Sequence, residues 1–218
     1  MMDWIILNKF RIDWVSILIF LNLILLSYTK WKYNRKFTSF FKSIDPSVYF
    51  NNYGNNFFFS RLFGINILVF SLVNISLILI FVLNSFGLIK TVFSEFSILF
   101  LFLIFIGFLS YILCSFLGVV LGVKRETLAY VFNNLRFLFR ISIFVYAILI
   151  VHHFYFINTF QFLKISFFCV LFLYYLFSII IVYRFLEKLN RGKFYLILYL
   201  CTLKVTPWVF IYWFIKYI

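Results

Sequence analysis

Six apolar runs of membrane-crossing length dominate the chain, at about residues 14–28, 62–86, 96–123, 137–156, 163–183 and 194–217. A spanning helix needs roughly 20 mostly apolar residues, and only the first run is short by that measure. None alternates apolar with polar residues as a barrel strand does, so helices are the expected spanning elements. The abundance of Phe, Ile and Val does not change this, because lipid offers no hydrogen-bond partner to an open strand edge. The expected fold class is therefore all-α: a polytopic transmembrane helical bundle of six spans, forming a single domain over residues 1–218. Composition closes the alternatives. Apolar residues make up 66% of the 218 and charged residues 12%, about half the charged share of a soluble domain. A soluble enzyme, a disordered tail and a disulfide-rich secreted domain are all excluded.

The net charge of +14 does not indicate nucleic-acid binding, because the basic residues form no single face of a soluble module. They cluster between the apolar runs. One side of the expected topology receives Lys30, Lys32, Arg35, Lys36, Lys42 and Arg61, then Lys124, Arg125, Arg136 and Arg140, then Arg184, Lys188, Arg191 and Lys193. The other side receives only Lys9, Arg11, Lys90, Lys164 and Lys216. By the positive-inside rule the first group is cytoplasmic, and both the N-terminus and the C-terminus are expected to be periplasmic. The basic cluster follows the first apolar run instead of preceding it, and no small-residue cleavage site is present. An uncleaved helix is expected there, not a signal peptide. The connection at residues 29–61 is rich in Phe and Tyr, with turns at Asp45-Pro46 and around Gly54, and is expected to lie along the cytoplasmic surface as an interfacial piece.

Lys204 stands near the middle of the sixth run, roughly 16 Å from either end at 1.5 Å per residue. A charge at that depth must be paired, hydrated or deprotonated. All six acidic residues (Asp3, Asp13, Asp45, Glu95, Glu126 and Glu187) fall outside the spans, so a partner subunit is the expected source of a counter-charge. Pro207 breaks the helix hydrogen bonding one turn later and frees the Leu203 carbonyl. Tyr195, Tyr199, Thr202 and Thr206 share one face of the same helix, suited to a polar groove or to interhelical hydrogen bonds.

Small and polar residues mark two further helix faces. Ser110, Cys114, Gly118 and Gly122 recur every four residues in the third run, and Ser60, Gly64, Ser71, Asn74 and Ser85 stripe the second. Both rows are expected packing seams, the first containing a GxxxG. Arg136 and Arg140 lie one turn apart, with Asn133 beside them, and are candidates for a lipid headgroup as well as plain topogenic charge. His152-His153 closes the fourth run. Adjacent helical residues diverge by about 100°, so the pair makes no two-ligand face. The three cysteines, Cys114, Cys169 and Cys201, show no CxxC or Cys/His ligand spacing. No metal site and no cofactor is expected. There is no phosphate-binding glycine loop, paired-acid motif or nucleophile elbow, so a catalytic role is not expected either.

The segment Phe194-Tyr-Leu-Ile-Leu-Tyr-Leu-Cys-Thr-Leu-Lys-Val-Thr-Pro207 resembles the closing signature of a family of Bacteroidota inner-membrane proteins known as domain of unknown function 4271. The resembling pattern is aromatic-Leu-Cys-x-Leu-Glu-x-x-Pro after a basic loop. Tyr199, Leu200, Cys201, Leu203 and Pro207 match it, whereas Lys204 stands where the family usually has glutamate. The length and six-span plan also resemble the family. This implies a multi-pass protein of the cytoplasmic (inner) membrane in a host with two membranes, and it implies no activity. The function expected is that of a non-catalytic integral subunit of a larger inner-membrane complex, with cell-envelope biogenesis or protein export as its setting. Its partners would be membrane lipids and other integral membrane subunits, not nucleic acid. The alternatives are a small transporter or channel using the Tyr195/Tyr199/Thr202/Thr206 face, and a lipid-binding or lipid-modifying protein working through Arg136, Arg140 and His152-His153.

Overall fold

The computed structural model describes residues 13–42, 62–88, 91–120, 122, 124–155 and 160–187. Every regular element among them is a helix: α1 (Asp13–Lys32), α2 (Asn34–Lys42), α3 (Leu62–Ser85), α4 (Phe93–Val120), α5 (Lys124–Phe154) and α6 (Phe160–Glu187). Five of these, all but α2, are long and apolar enough to cross a membrane. The sixth expected span, at 194–217, and the turns at Asp45-Pro46 and Gly54 lie outside the described residues.

Side-chain contacts give the helix directions. Trp14 at the start of α1 packs on Phe93 and Phe96 at the start of α4. Ser16 meets His153 at the end of α5, and Phe81 near the end of α3 meets His152. Lys164, in the second turn of α6, sits 4.5 Å over the Phe86 ring just past α3. The start of α1 and the ends of α3 and α5 therefore share one end of the bundle with the starts of α4 and α6. The other end holds α2, where Phe40 packs on Phe63 and Phe132. That second end also carries Lys30, Lys32, Arg35, Lys36 and Lys42, together with Lys124 and Arg125 at the start of α5. We call it the basic end.

The interior is built on α3, which packs against α1, α4, α5 and α6. Its most apolar window is 56% buried, against 6% for α4 and for α6, so α3 is central and the other two are peripheral. Phe70, Leu77 and Ile80 of α3 are fully enclosed. Toward the basic end the core is aromatic. The fully buried Phe40 ring stands edge-on to Phe63 and Phe132 at 5.8 and 5.7 Å, and Phe139 meets Phe37 and Phe70. Edge-to-face pairs of this kind add about 0.5–1.5 kcal/mol each beyond area burial. Phe37 and Phe40 reach this core because α2 is amphipathic, with Arg35, Lys36 and Thr38 among its outward residues. The connection after the first span thus begins with a helix tucked against the bundle. Tyr33 is the joint, and backbone hydrogen bonds from Tyr33 to Thr29 and from Phe37 to Tyr33 run almost without a break from α1 into α2.

Two helix ends correct the expected boundaries. α4 runs from Phe93 to Val120, not over 96–123. It stops because Gly122 takes φ +68° and donates to the Val119 carbonyl at 3.1 Å, an αL ending that favours glycine. Gly122 is accordingly a turn residue, not the last member of a packing row. α5 begins at Lys124, thirteen residues before the expected span. Its first turns are polar, and a helix projecting beyond the apolar slab has no need of apolar side chains. At the opposite end α3 closes in a Schellman motif, in which Leu88 donates to Leu83 and Gly87, at φ +71°, donates to Asn84.

Gly118 does make a close helix approach. A Cβ there would collide with the Thr127 side chain of α5, so the missing side chain sets how tightly the α4–α5 hairpin closes. Gly118→Val is therefore expected to lower stability by about 1–3 kcal/mol. At Gly107, ten residues earlier, a Cβ would meet nothing within 4 Å, and Gly107→Ala should leave stability unchanged or slightly higher. Thermal unfolding of the two purified variants checks the contrast.

Candidate functional site

Lipid supplies no hydrogen-bond partners, so polar side chains inside the spans turn toward one another. Here they form a ladder between α1, α3 and α5. Asn22, midway along α1, donates through Nδ2 to Asn74 Oδ1, midway along α3, at 2.8 Å. Asn22 is 4% exposed and Asn74 fully buried. One turn away Ser142 of α5 donates to Ser71 Oγ at 3.2 Å and to its own Phe139 carbonyl. Tyr146 of α5 donates to the Ile19 carbonyl of α1. Nearer the basic end Asn66 Nδ2 reaches Thr29 Oγ1 at 3.3 Å. At the far end Ser16 Oγ and His153 Nε2 are hydrogen-bonded at 2.7 Å.

Asn74 lies buried in this ladder with Asn22 as its partner, a pairing the sequence reading missed. Asn22 was detectable as the one amide in α1. Ser16, Ser142 and Thr29 carried weaker signals, because a Ser or Thr hydroxyl in a spanning helix can bond to its own backbone, as Thr29 also does to Leu25. The Asn74 Nδ2 group remains buried without an acceptor, as do both ring nitrogens of His152, which packs against Phe81 instead.

Arg136 and Arg140 have a specific geometry. Arg136 is 4% exposed, and its Nε donates to the Phe40 carbonyl at 2.8 Å. Arg140 Nη2 donates to the Phe41 carbonyl at 2.7 Å, and its guanidinium lies 6.0 Å from the Phe41 ring. These carbonyls belong to the last turn of α2, where a helix has no internal donors left and its dipole is negative. The two arginines therefore cap α2 and hold it to α5. Lysine would copy the arrangement poorly, because its flexible ammonium lacks the fixed donor directions of a guanidinium.

Arg136 and His152 are separated by about 24 Å along α5 at 1.5 Å per residue. The structure therefore does not bring together the two basic clusters that the lipid-modifying alternative combined. No group of three or more His, Cys, Asp or Glu side chains among the described residues could hold a metal. Asp13 and Glu95 lie in the first turns of α1 and α4. Glu126 and Glu187 lie in the terminal turns of α5 and α6, so the described spans contain no carboxylate in their interiors. Ser110 and Cys114 line a cavity of about 580 Å³ between α3, α4, α5 and α6. Lys204, Pro207, Tyr195, Tyr199, Thr202 and Thr206 lie outside the described residues.

The family described as Domain of unknown function (DUF4271) has a model that matches residues 15–215. No curated protein and no solved structure matches the chain.

The ladder and the cap each predict a measurable effect. Asn22→Leu leaves Asn74 with neither amide group paired, and interhelical bonds in membranes are worth about 0.6 kcal/mol on average and up to about 1.7. The single variant should lose about 1–2 kcal/mol. Asn22→Leu with Asn74→Leu should recover most of the loss, because no buried polar group is then stranded. Denaturant titration in detergent reads both. Arg136→Leu should release α2, exposing a cysteine introduced at Ser39 to a water-soluble maleimide several-fold faster than in the parent, while Arg136→Lys gives only partial protection.

Proposed function

The chain belongs to the DUF4271 family, and from that premise we propose that it acts as a non-catalytic integral subunit of a larger complex in the cytoplasmic membrane. The observation that carries this reading is the uneven burial of its helices. α1, α3 and α5 close on one another through buried hydrogen bonds, whereas α4 and α6 are span-length helices with only 6% of their apolar windows covered. α6 presents Phe168, Phe172, Ile179, Ile180 and Tyr183 along its length, and α4 presents Leu101, Phe105, Phe108, Phe116 and Val119. Such large apolar and aromatic faces suit docking against other spanning helices, where van der Waals packing drives association.

The charge distribution supports the orientation. The basic end of the bundle is assigned to the cytoplasm by the positive-inside rule, which places the start of α1 toward the periplasm. Lys204, read from the sequence alone, is the residue whose counter-group a partner would supply. A catalytic role has no supporting constellation among the described residues. A transport path through α1, α3 and α5 gains nothing from their geometry either, because the polar groups there bond to one another amid the fully buried Phe70, Leu77 and Leu149.

Purification of the natively expressed, tagged protein in mild detergent, followed by mass spectrometry, tests the reading. A stoichiometric set of integral membrane proteins is expected, and Lys204→Leu should reduce its recovery without altering the melting temperature of the purified chain. A monodisperse monomer or homo-oligomer with no co-purifying subunit overturns it.

A further inference from the structure

The 580 Å³ cavity between α3, α4, α5 and α6 lies within the ~300–1,000 Å³ range of small-molecule sites. It runs along α5 from Tyr130 to Val145, about 22 Å at 1.5 Å per residue. Its lining is not uniform. Toward the basic end it is bordered by Ser110 and Tyr111 of α4, Tyr130 and Asn134 of α5, and Tyr174 and Ser178 of α6. Toward the other end it is bordered by Leu103, Ile141, Val145, Phe167 and Val170, and the α3 wall contributes only aliphatic residues, Leu72 and Ile78 among them. Gly118 against Thr127 pinches the α4–α5 hairpin just below the polar end. Above the pinch Gly107 lines the cavity with no neighbouring atom within 4 Å of its would-be Cβ.

We infer that this cavity binds one hydrocarbon chain of a membrane phospholipid, with the polar head held at the basic end. A slot about 22 Å long, with its polar side chains toward one end and aliphatic ones along the rest, matches the chemistry of an acyl chain. A compact polar solute would leave the aliphatic part unfilled, and a wholly apolar one would give the Asn134 amide no polar partner. The charge is complementary too. Lys124 and Arg125 occupy the first turn of α5, and Arg184 the last turn of α6, both at the end where a phosphate-bearing headgroup would sit. Chain methylenes then fill space that no side chain among the described residues occupies. Phe108 both lines the cavity and belongs to the α4 face of the subunit reading, but lipid retained by the purified chain and subunits that co-purify with it are separate readouts.

The test uses the full chain reconstituted in vesicles of phosphatidylethanolamine and phosphatidylglycerol, extracted in mild detergent and examined by native mass spectrometry. One tightly retained phospholipid per chain is expected, undisplaced by inorganic phosphate. Gly107→Trp should lower that retention at least tenfold with an unchanged melting temperature, and Gly107→Leu, a smaller intrusion, should lower it partway. Asn134→Leu should reduce the preference for phosphatidylglycerol. Equal retention by the parent and both Gly107 variants would mean lipid bound only on the outer surface, and would overturn the inference. So would a lipid-free parent in which Gly107→Cys cross-links to residues 194–217, for the occupant would then be the chain's own C-terminal segment. Displacement by inorganic phosphate would assign the site to a free anion and overturn it equally.

Discussion

The bilayer's refusal to hydrogen-bond organises this molecule. A soluble helix can leave an amide on its surface at little cost, but a spanning helix must turn each polar side chain onto its own backbone or toward another helix. In α1 the side chain at issue is Asn22, and in α3 it is Asn74. Each lies at the midpoint of its helix, and the two helices run in opposite directions, so a single 2.8 Å bond fixes both their rotation and their relative height. Once that register is set, Thr29 falls opposite Asn66, and Ser71 meets Ser142 of the next helix to pack in. Dispersion forces between Leu, Ile and Phe would tolerate other registers; the amide pair does not.

The same constraint explains α2. A helix at the membrane surface ends in carbonyls that water can satisfy, but the end of α2 is pressed against α5 by Phe40, which is fully buried. Burial of the ring carries the backbone inward, and its carbonyls need donors there. Arg136 and Arg140 supply them. Guanidinium groups suit this place because a flat cation can lie near a ring, as Arg140 does at Phe41, while one of its donors reaches a carbonyl. A residue that contributes to topology through its charge thus also determines how the first connection folds back on the bundle.

Much of this architecture was legible in the sequence. Continuous apolar runs locate spanning helices because the slab has a fixed thickness, and α3 was found to within a residue at its C-terminal end. The boundaries that differed did so for identifiable reasons. α5 starts early because a helix continues into water on hydrogen bonds that do not depend on hydropathy. α4 stops at Val120 because Gly122 adopts a left-handed conformation, although the four-residue row of small residues reads straight through it. α2 was not legible as a helix, since nine residues give a short pattern. Arg136 was visible as a charge, while its acceptor, a backbone carbonyl 96 positions away, leaves no mark in composition or spacing. Asn22 was legible in principle: one amide among apolar residues calls for a partner, even when the partner cannot be named.

The two halves of the bundle answer different demands. Around α3 the interior facing α1 and α5 is closed, and the bonds Asn22–Asn74, Ser142–Ser71 and Tyr146–Ile19 tie the three helices together. On the side facing α4 and α6 the contacts include ring pairs, Phe137 of α5 with Tyr174 and Phe177 of α6. The approach there is set by one glycine at the hairpin, and beyond Gly118 the helices leave the 580 Å³ slot open. Where apolar packing predominates, a lipid chain or a neighbouring helix can replace side-chain contacts at little net cost, since lipid tails are as apolar as leucine. A protein that had only to remain folded would gain from filling the slot, and a larger residue at Gly107 would begin to do so without a clash. The rigid half acts as the frame, and the open half is where this chain can meet something other than itself.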